Sequence, residues 1–257
     1  MPGLEKKRAL VLGVANERSI AWAIARALAA GGARIGLTWA GEAIERRVRP
    51  LAAEIGAELV LPCDVTDDGQ IEALFAEVDR AWGGLDVLVH AVAFAQREDL
   101  AGRFVDTSRS GFRTALDVSA YSLVGLARGA LPLLRAAGGG SIVTLTFDGS
   151  RRVYPNYNVM GVAKAALESA MRYLAADLGP DGIRVNAVSA GPIKTLSAAG
   201  IRDFRRILQV VEERAPLRRN VTAEEVASLV TLLAGDDGRA ITGQVLHVDA
   251  GLGILAV

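Results

Sequence analysis

The sequence has little of what several protein classes depend on. Its 257 residues contain one cysteine, Cys63, and two histidines. A single cysteine cannot form an internal disulfide and is typical of a reducing compartment, so we expect a cytoplasmic protein. Two histidines and one cysteine cannot supply a metal-binding cluster in the usual spacings. The sequence therefore predicts neither a disulfide scaffold nor a metal site.

An excess of charge of one sign is also missing. The 29 Lys and Arg residues balance the 29 Asp and Glu residues, so the formal net charge at pH 7 is zero. Proteins that bind nucleic-acid backbones or anionic lipid surfaces usually carry a basic excess. No uncharged apolar stretch approaches the roughly 18 residues that a membrane-spanning helix needs. We therefore expect a protein that binds neither nucleic acid nor a membrane.

What the sequence does contain is a regular alternation of two patterns. Short runs rich in Val, Leu and Ile are continuously apolar, which is typical of a parallel sheet covered on both faces. Longer segments of helical periodicity separate them, and this order favours an α/β fold with a doubly wound sheet and right-handed crossovers. The predicted strands are Ala9–Gly13, Arg34–Thr38, Leu59–Pro62, Val87–His90, Ile142–Thr146, Val185–Ser189 and Val245–Val248.

Nothing in the sequence resembles a linker between domains. No long Pro/Gly/Ser tract, charge block or internal repeat interrupts the alternation, and the seven strands use nearly the whole length. We therefore predict one domain over residues 1–257, although the length alone would also allow two. The one irregular stretch, at about residues 191–216, follows the sixth strand and contains a polar helical pattern. Ligands of open α/β sheets bind beyond the carboxyl ends of the strands, so this insert is a candidate substrate lid.

The turn between the first strand and the first helix is a candidate dinucleotide-binding site. Gly13 lets the chain turn without a Cβ clash, and Ser19 can cap the helix and donate its hydroxyl to a phosphate. A helix start also presents free N–H groups and the positive end of a dipole. However, Glu17 and Ser19 stand where the usual fingerprint has glycines. On these residues alone, an ordinary strand–turn–helix explains the segment equally well.

Two further strand ends could face the same ligand. Asp64, after the third strand, could accept a hydrogen bond from an adenine amino group, or it could be an ordinary turn aspartate. Residues 90–95, HAVAFA, could let a flat ring approach the backbone, or could make a tight core turn. Both interpretations stay open for each segment. His90 itself is predicted to be a core or turn histidine and not a base.

The segment YPNYNVMGVAKAALE, from Tyr154, contains the most informative spacing. Tyr157 and Lys164 are seven residues apart, so two helical turns bring them nearly to the same face. A phenol can donate a hydrogen bond to a carbonyl oxygen as that oxygen gains negative charge, and a lysine can hold ribose hydroxyls. Short-chain carbonyl reductases normally use a pair four residues apart, but Met160 occupies that position here. The longer spacing places the phenol farther out, over the substrate.

Three strings in matching order make the likeness to one family specific. GVANERSIAWAIA from Gly13, PNYNVMGVAKAALE from Pro155 and RVNAVSAGPIKTLSA from Arg184 are similar to enoyl-acyl-carrier-protein reductases. These form the divergent branch of the short-chain dehydrogenase/reductases that serves bacterial fatty acid synthesis. The likeness covers about residues 4–251. It implies a Rossmann-type fold, a nicotinamide cofactor, and hydride transfer to the β-carbon of a trans-2-enoyl thioester.

The resemblance also implies roles for residues at matching positions. Tyr157 matches the family's proton-donating tyrosine, which stabilises the enolate, and Lys164 matches the lysine that holds the cofactor. Phe147 occupies the position of a second tyrosine in many relatives, so one active-site hydroxyl is missing. The implied cofactor contacts are Gly13, Ser19, Ile20, Ala40, Asp64, Val65, Val92, Lys164, Ile193, Lys194, Thr195, Leu196 and Ser197. The implied substrate contacts are Ala95, Tyr157, Met160 and Phe204.

The residues near the adenine ribose bear on the choice of cofactor. Ala40 stands where relatives often place a glutamine that faces this ribose. No Lys or Arg occupies residues 39–42, so no clamp for a 2′-phosphate is evident. Arg18, Arg46 and Arg47 could still fold back towards a phosphate. The sequence therefore favours NADH over NADPH.

The resemblance further implies macromolecular partners. Family members receive the acidic acyl carrier protein on basic residues at the positions of Arg202, Arg205 and Arg206. A local patch on a neutral protein can steer an acidic partner, although a solvated helix face explains the same residues. Family members are also usually homotetramers, which this sequence does not show by itself.

Several departures from the family pattern keep other functions open. Phe147, Ala93 and Ala40 would be compatible with a non-catalytic dinucleotide-binding homologue. A carbonyl or ketoacyl reductase on the same fold is a second alternative, against which the missing four-residue tyrosine–lysine pair argues. Asp148 is an unexpected charge near the acyl entrance, and Tyr154 could compensate for the missing hydroxyl at Phe147.

Overall fold

A parallel β-sheet forms the centre of the computed structural model, which describes residues 3–196, 198 and 203–255. Its strands are β1 (Arg8–Leu12), β2 (Arg34–Trp39), β3 (Leu59–Pro62), β4 (Val87–His90), β5 (Gly140–Thr146), β6 (Ile183–Ala190) and β7 (Val245–Val248). They lie in the order β3-β2-β1-β4-β5-β6-β7, and each neighbouring pair is parallel. The predicted doubly wound sheet of about seven strands is confirmed.

Helices connect the strands and cover both faces of the sheet. The α-helices are α1 (Ile20–Ala30), α2 (Glu42–Glu54), α3 (Asp68–Trp82), α4 (Arg97–Leu100), α5 (Arg109–Leu116), α6 (Ser122–Ala136), α7 (Asn158–Leu178), α8 (Phe204–Arg214) and α9 (Ala223–Ala234). A π-helical segment, Asp117–Tyr121, joins α5 to α6. Within the described residues, no helix combines the length and apolarity needed to cross a membrane.

The alternation of side chains along each strand divides the core into two layers. Leu10 and Leu12 of β1 point to one face of the sheet, where they join Leu126 of α6 in one cluster of fully buried side chains. Val11 points to the other face and joins Ile24 of α1. Because successive strand residues face opposite sides, a strand covered on both sides is apolar at most of its positions. This is why the apolar runs predicted the strands.

The strand boundaries differ from the predicted ones where polar residues continue the ladder. β5 begins at Gly140 and β6 at Ile183, two residues earlier than predicted in each case, and Ser141 pairs with Arg184 in the register. The Ser141 hydroxyl donates to the Leu233 carbonyl at 2.9 Å, so its burial leaves no unpaired donor. Main-chain pairing defines a strand, whereas apolar patterning reports only which side chains are buried.

The order of the strands fixes where a ligand can bind. Leu12 pairs with His90, so the carboxyl ends of β1 and β4 are adjacent. The chain winds from β1 outward to β3, and from β4 in the opposite direction to β7. This reversal leaves a crevice beyond the carboxyl ends of the strands, where open α/β sheets bind ligands. The insert predicted at residues 191–216 follows β6 at this edge, and its described part contains α8.

Candidate active site

A cavity of about 760 Å³ lies in this crevice, a size typical of small-molecule sites. Its walls come from the loops after β1, β2, β4, β5 and β6, from the start of α7, and from α8. Segments that are far apart in the sequence therefore meet in one site. The predicted site residues that line it are Gly13, Ser19, Ile20, Ala40, Val92, Ala95, Phe147, Tyr157, Met160, Lys164, Ile193, Thr195, Leu196 and Phe204.

Four predicted cofactor contacts are not among the described residues that line the cavity. Asp64 makes a local turn, in which its Oδ1 accepts hydrogen bonds from the Thr66 N–H at 2.9 Å and the Thr66 hydroxyl at 2.8 Å. Val65 is buried and Lys194 is exposed. Ser197 and Arg202 lie outside the described residues. For Asp64, the structure therefore shows the turn role that the sequence had left open beside the adenine contact.

Gly13 brings the end of β1 against the end of β4. Its φ is +100°, and a Cβ atom there would lie 2.1 Å from the Ala91 carbonyl oxygen. Only glycine fits, because the space that a side chain needs is filled by the neighbouring backbone. The turn that follows stays close to the sheet and leads to the start of α1, whose free N–H groups suit a phosphate.

The predicted role of Ser19 as a helix cap is wrong in its detail. Ser19 is the residue before α1, but its side chain accepts no hydrogen bond from a helix N–H. Its hydroxyl donates to the Asn16 carbonyl oxygen at 2.7 Å instead. The turn before the helix is long enough to offer a carbonyl to the hydroxyl, and a competing local partner of this kind is common for serine. The hydroxyl proton is therefore held within the turn.

The loop after β4 forms a smooth apolar wall of the cavity. Residues 91–95 all line it, whereas His90 is fully buried. Ser119, in the π-helical segment, holds this loop from behind: it accepts a hydrogen bond from the Phe94 N–H at 3.0 Å and donates to the Phe94 carbonyl at 3.1 Å. π-Helical turns are often found at functional sites, and this one fixes the position of the wall.

His90 is a core residue, as predicted. The Ser122 hydroxyl donates its hydrogen bond to the Val118 carbonyl at 2.7 Å and lies 2.8 Å from His90 Nε2. The hydroxyl therefore accepts a hydrogen bond from the N–H of that nitrogen. His90 Nδ1 then accepts from the Thr144 hydroxyl at 2.8 Å. Burial, together with the positive charge of Lys164, lowers the pKa of His90 to about 3. The ring is neutral and cannot serve as a base towards the cavity.

Tyr157 lies at the N-terminal end of α7, half-buried in the cavity wall. Asn156 and Asn158 on either side have φ values of +61° and +28°, a region that asparagine tolerates better than most residues. The Tyr157 ring meets the Phe147 ring edge-on, with centroids 5.0 Å apart. A Cβ on Gly149 would lie 2.6 Å from the same ring. The strained turn and this close packing fix where the phenol points.

The Tyr157 hydroxyl is placed to donate a hydrogen bond to a ligand. Among the described residues it has no hydrogen-bond partner, although the ring around it is half-buried. Burial raises the pKa of the Tyr157 phenol above its ordinary value, and the negative charge of Glu168 raises it further. The hydroxyl therefore keeps its proton at neutral pH.

Lys164 reaches the same cavity from the next turns of α7. The residue is buried, and its Nζ donates to the Leu145 carbonyl at 2.8 Å. Burial lowers the pKa of Lys164 to about 8, while the carboxylate of Glu168 acts in the opposite direction. An ammonium carries three donors, so one hydrogen bond to Leu145 leaves two for a ligand.

The surroundings of Tyr154 show whether its hydroxyl can compensate for the one that is missing at Phe147. Its ring packs against Phe147 with centroids 4.7 Å apart, but its hydroxyl donates to Asp148 Oδ2 at 3.1 Å. Asp148 is buried and is also 3.6 Å from Arg152 Nε. The unexpected acidic residue is thus neutralised within its own loop, and the Tyr154 hydroxyl is engaged there. It does not replace the hydroxyl that Phe147 lacks.

Sequence reasoning missed Glu168 and Thr146, which lie directly behind the tyrosine and lysine. Glu168 is buried, and Thr146 lines the cavity and donates to Glu168 Oε1 at 2.6 Å. A signal existed, because Glu168 is four residues after Lys164 and so shares its helix face. The partner from β5 could not be found in this way, since helical spacing says nothing about a neighbouring strand.

This arrangement defines a class of protein. A doubly wound sheet, a turn after β1 that only glycine can make, and a tyrosine and a lysine in a cavity beyond the strand ends are together typical of short-chain dehydrogenase/reductases. A comparison with known families is more specific. The chain belongs to the enoyl-(acyl carrier protein) reductase family, whose model matches residues 13–253.

Individual relatives match over nearly the whole chain. An enoyl-acyl-carrier-protein reductase (NADH) 1 of Rhizobium meliloti (strain 1021) is 54% identical over 245 residues, which cover 95% of this chain and 89% of the relative. The crystal structure of the Bacillus cereus enoyl-acyl carrier protein reductase with NADP+ and indole naphthyridinone is 52% identical, covers 100% of both chains and has a TM-score of 0.97. The enoyl-acyl-carrier-protein reductase structure from Anaplasma phagocytophilum with NAD is 46% identical, covers 100% of this chain and 98% of the other, and has a TM-score of 0.95.

Proposed function

We propose that this chain reduces the trans-2 double bond of enoyl-acyl-carrier-protein thioesters with NADH, in fatty acid elongation. The observation that carries the proposal is the protonated Tyr157 hydroxyl, without a hydrogen-bond partner among the described residues, in the same cavity as the Lys164 ammonium. The cavity also fits a dinucleotide, because the close approach of Gly13 to Ala91 leaves the helix start open to phosphates. The small side chains after β4 allow a flat ring to lie against the backbone.

The residues of the site divide the work of this reaction. NADH, when bound, supplies the hydride that reaches the β-carbon of the substrate. The Tyr157 hydroxyl donates a hydrogen bond to the thioester oxygen, and this bond strengthens as the oxygen gains enolate charge. Lys164 holds ribose hydroxyls with its two remaining donors and adds positive potential near the same oxygen. Because the site is only partly open to water, these electrostatic effects are larger than they would be in solution.

The acyl chain has an apolar path past the tyrosine. Ala95 and Met160 line the cavity on the substrate side, and Phe204 and Ile207 of α8 line it from the insert. Contacts of this kind bury an acyl chain without a specific polar partner. The described part of the insert at residues 191–216 supplies this wall of the cavity, which supports its role as the substrate lid.

The surroundings of Ala40 support NADH as the cofactor. Ala40 lines the cavity and offers no charge to a 2′-phosphate. The Arg18 side chain lies 3.6 Å from Glu17, and the Arg46 side chain lies 3.7 Å from Glu42. Arg18, Arg46 and Arg47 are not among the described residues that line the cavity. The phosphate clamp that the sequence left open is therefore not assembled.

Turnover assays test this function directly. The protein should oxidise NADH when a crotonyl thioester is added, which is followed by the loss of nicotinamide absorbance. When NADPH replaces NADH, or an acetoacetyl thioester replaces the crotonyl one, kcat/KM should fall by about tenfold or more. A preference for the acetoacetyl substrate would instead make the protein a ketoacyl reductase. Tight NADH binding without reduction of any enoyl thioester would make it a non-catalytic homologue.

Two arginines of α8 support docking of the acidic acyl carrier protein. Arg205 and Arg206 are exposed and form no ion pair with any described residue. Arg202, the third predicted contact, lies outside the described residues. Positive charge on the helix whose Phe204 and Ile207 line the cavity attracts an acidic carrier and brings its thioester towards the site. The homotetramer and the cytoplasmic location predicted from the sequence stay predictions.

Reversing these charges should separate docking from chemistry. In the double variant Arg205→Glu/Arg206→Glu, we expect KM for an enoyl-acyl-carrier-protein substrate to rise about tenfold, with little change in kcat. With the neutral enoyl N-acetylcysteamine thioester, kinetics should not change. Arg172→Glu, an exposed residue on α7, is the matched control and should affect neither substrate. An equal loss with both substrates would show that the arginines support the fold or the chemistry, and not docking.

A further inference from the structure

Glu168 is a buried carboxylate that the proposed mechanism does not use. The residue is 6% exposed and lies on α7, four residues after Lys164. This spacing places both side chains on the face of α7 that packs against β5. Glu168 Oε1 accepts a hydrogen bond of 2.6 Å from the Thr146 hydroxyl. A carboxylate at this depth needs compensation, because burial of an isolated charge is costly.

The Lys164 ammonium is held by the residue that precedes Thr146. Its Nζ donates to the Leu145 carbonyl at 2.8 Å, and Leu145 and Thr146 are consecutive residues of β5. One strand therefore anchors the ammonium and the carboxylate in adjacent positions. The strand and the four-residue spacing on α7 together hold the two charged side chains on the same side of the sheet.

The other titratable groups around Lys164 do not supply a negative charge. His90, on β4, is neutral, since burial and the charge of Lys164 hold its pKa at about 3. Tyr157, at the start of α7, keeps its proton because its pKa is raised by burial. Asp148, in the loop after β5, is paired within its own loop. Glu168 lies four residues after Lys164 on the same face of α7, and its charge opposes the larger effect of burial on the pKa of Lys164.

We propose that Glu168 is a positioning residue for the tyrosine–lysine pair: its carboxylate, oriented by the Thr146 hydroxyl, keeps the buried Lys164 protonated. An ammonium donates all its hydrogen bonds outward, whereas a neutral amine would offer one fewer donor and no positive potential. The inference rests on the proposed function only for the ligand that Lys164 holds. The electrostatic effect of Glu168 on Lys164 does not require a bound ligand.

The direction of the expected shift follows from the acid–base chemistry of lysine. A lysine is charged below its pKa, so Lys164 loses its charge as the pH rises through about 8. Removing the negative charge of Glu168 removes the effect that opposes burial, and burial alone favours the neutral amine. In Glu168→Gln, which keeps the size and shape of the side chain, Lys164 should lose its proton at a pH about one unit lower.

The composition of the chain makes this titration directly observable. The sequence contains only four lysines, at positions 6, 7, 164 and 194. With ¹³C in the ε-carbon of lysine, the full-length protein should give four resonances in a carbon NMR spectrum. The Lys164 resonance is assigned by its absence in Lys164→Arg. Its midpoint is then measured between pH 6 and 11 in the wild type and in Glu168→Gln, without any added ligand.

A second pair of variants separates the charge from its surroundings. Asp177→Asn removes an exposed carboxylate from the same helix and should leave the Lys164 midpoint unchanged. Glu168→Asp keeps the charge but moves it away from Thr146, so it should shift the midpoint in the same direction by less than Glu168→Gln does. NADH affinity, measured by fluorescence titration, should fall with the same midpoint in each variant.

The outcomes distinguish this inference from the proposed function. A Lys164 midpoint that stays fixed when Glu168 is replaced would overturn the role of Glu168. If Glu168→Gln fails to fold, Glu168→Asp decides the same question, because it displaces the carboxylate from its hydrogen bond with Thr146 and should still lower the Lys164 midpoint. If the Lys164 midpoint shifts in Glu168→Gln but the wild-type protein reduces no enoyl thioester, the proposed function is overturned. The effect of Glu168 on Lys164 is then still supported.

Discussion

Tyr157→Phe should lower kcat for enoyl thioester reduction about 10²- to 10³-fold, the cost of removing one donor to a developing oxyanion. The substitution removes a single hydroxyl that has no hydrogen-bond partner among the described residues. The ring stays, and it retains its edge-on contact with Phe147 at 5.0 Å. Folding and NADH affinity should therefore stay close to those of the wild type. Steady-state kinetics with a crotonyl thioester and NADH binding by fluorescence measure both quantities.

Tyr154→Phe is the matched control for this prediction. Tyr154 lines the same cavity and packs on the same Phe147 ring, but its hydroxyl donates to Asp148 at 3.1 Å. Removing that hydroxyl leaves Asp148 with Arg152 as its partner. We expect kcat within about threefold of the wild type, because the loss falls on a local hydrogen bond and not on the reacting oxygen. Comparable losses in both variants would contradict the role given to Tyr157.

Gly13→Ala should destabilise the protein and weaken NADH binding at the same time. A Cβ atom at this position would lie 2.1 Å from the Ala91 carbonyl oxygen, and the φ of Gly13 is +100°. Backbone strain and a steric clash would therefore both destabilise the folded protein. The ends of β1 and β4 must then separate, which disturbs the turn that leads to α1. We expect the melting temperature to fall by about 6–12 °C, as for a loss of about 3 kcal/mol in a domain of this size. NADH affinity should fall about tenfold or more.

Two other glycines separate strain from collision. Gly83 ends α3 with φ of +62°, and a Cβ there would meet nothing within 4 Å. Gly83→Ala should therefore show the strain alone, with a melting temperature about 2–4 °C lower and normal NADH affinity. Gly179 has φ of −54° and open space around it, so Gly179→Ala should melt as the wild type does. If Gly13→Ala behaved like Gly83→Ala, the close approach of the strands would not matter for the cofactor.

The strands were the most predictable part of this fold. β3, β4 and β7 lie within the same bounds as the apolar runs predicted. β4 is buried at each position, whereas the edge strands β3 and β7 are only partly buried, so in these two the apolar run reflects β-propensity as well as burial. The ends of β5 and β6 were missed because polar residues there continue the main-chain pairing. Hydrogen bonds between backbones leave little trace in side-chain composition.

The site was predictable where one segment carries its own geometry. Tyr157 and Lys164 both line the cavity, as their spacing indicated, although Tyr157 is the residue before α7 and not part of the helix. The direction of the Ser19 hydroxyl could not be obtained in this way. It depends on the path of the turn before α1, where the Asn16 carbonyl competes with the helix as a partner.

By itself, the sequence determined the alternation of elements, the spacing of the tyrosine and lysine, and the family. These are properties of neighbouring residues along one chain, which periodicity and motif strings express. The tertiary structure alone decided that Asp148 engages Tyr154, that His90 is neutral, and that Thr146 orients Glu168. Each of these depends on which side chains from separate strands and loops come within hydrogen-bond distance and how far burial removes them from water. No pattern along the chain encodes that distance.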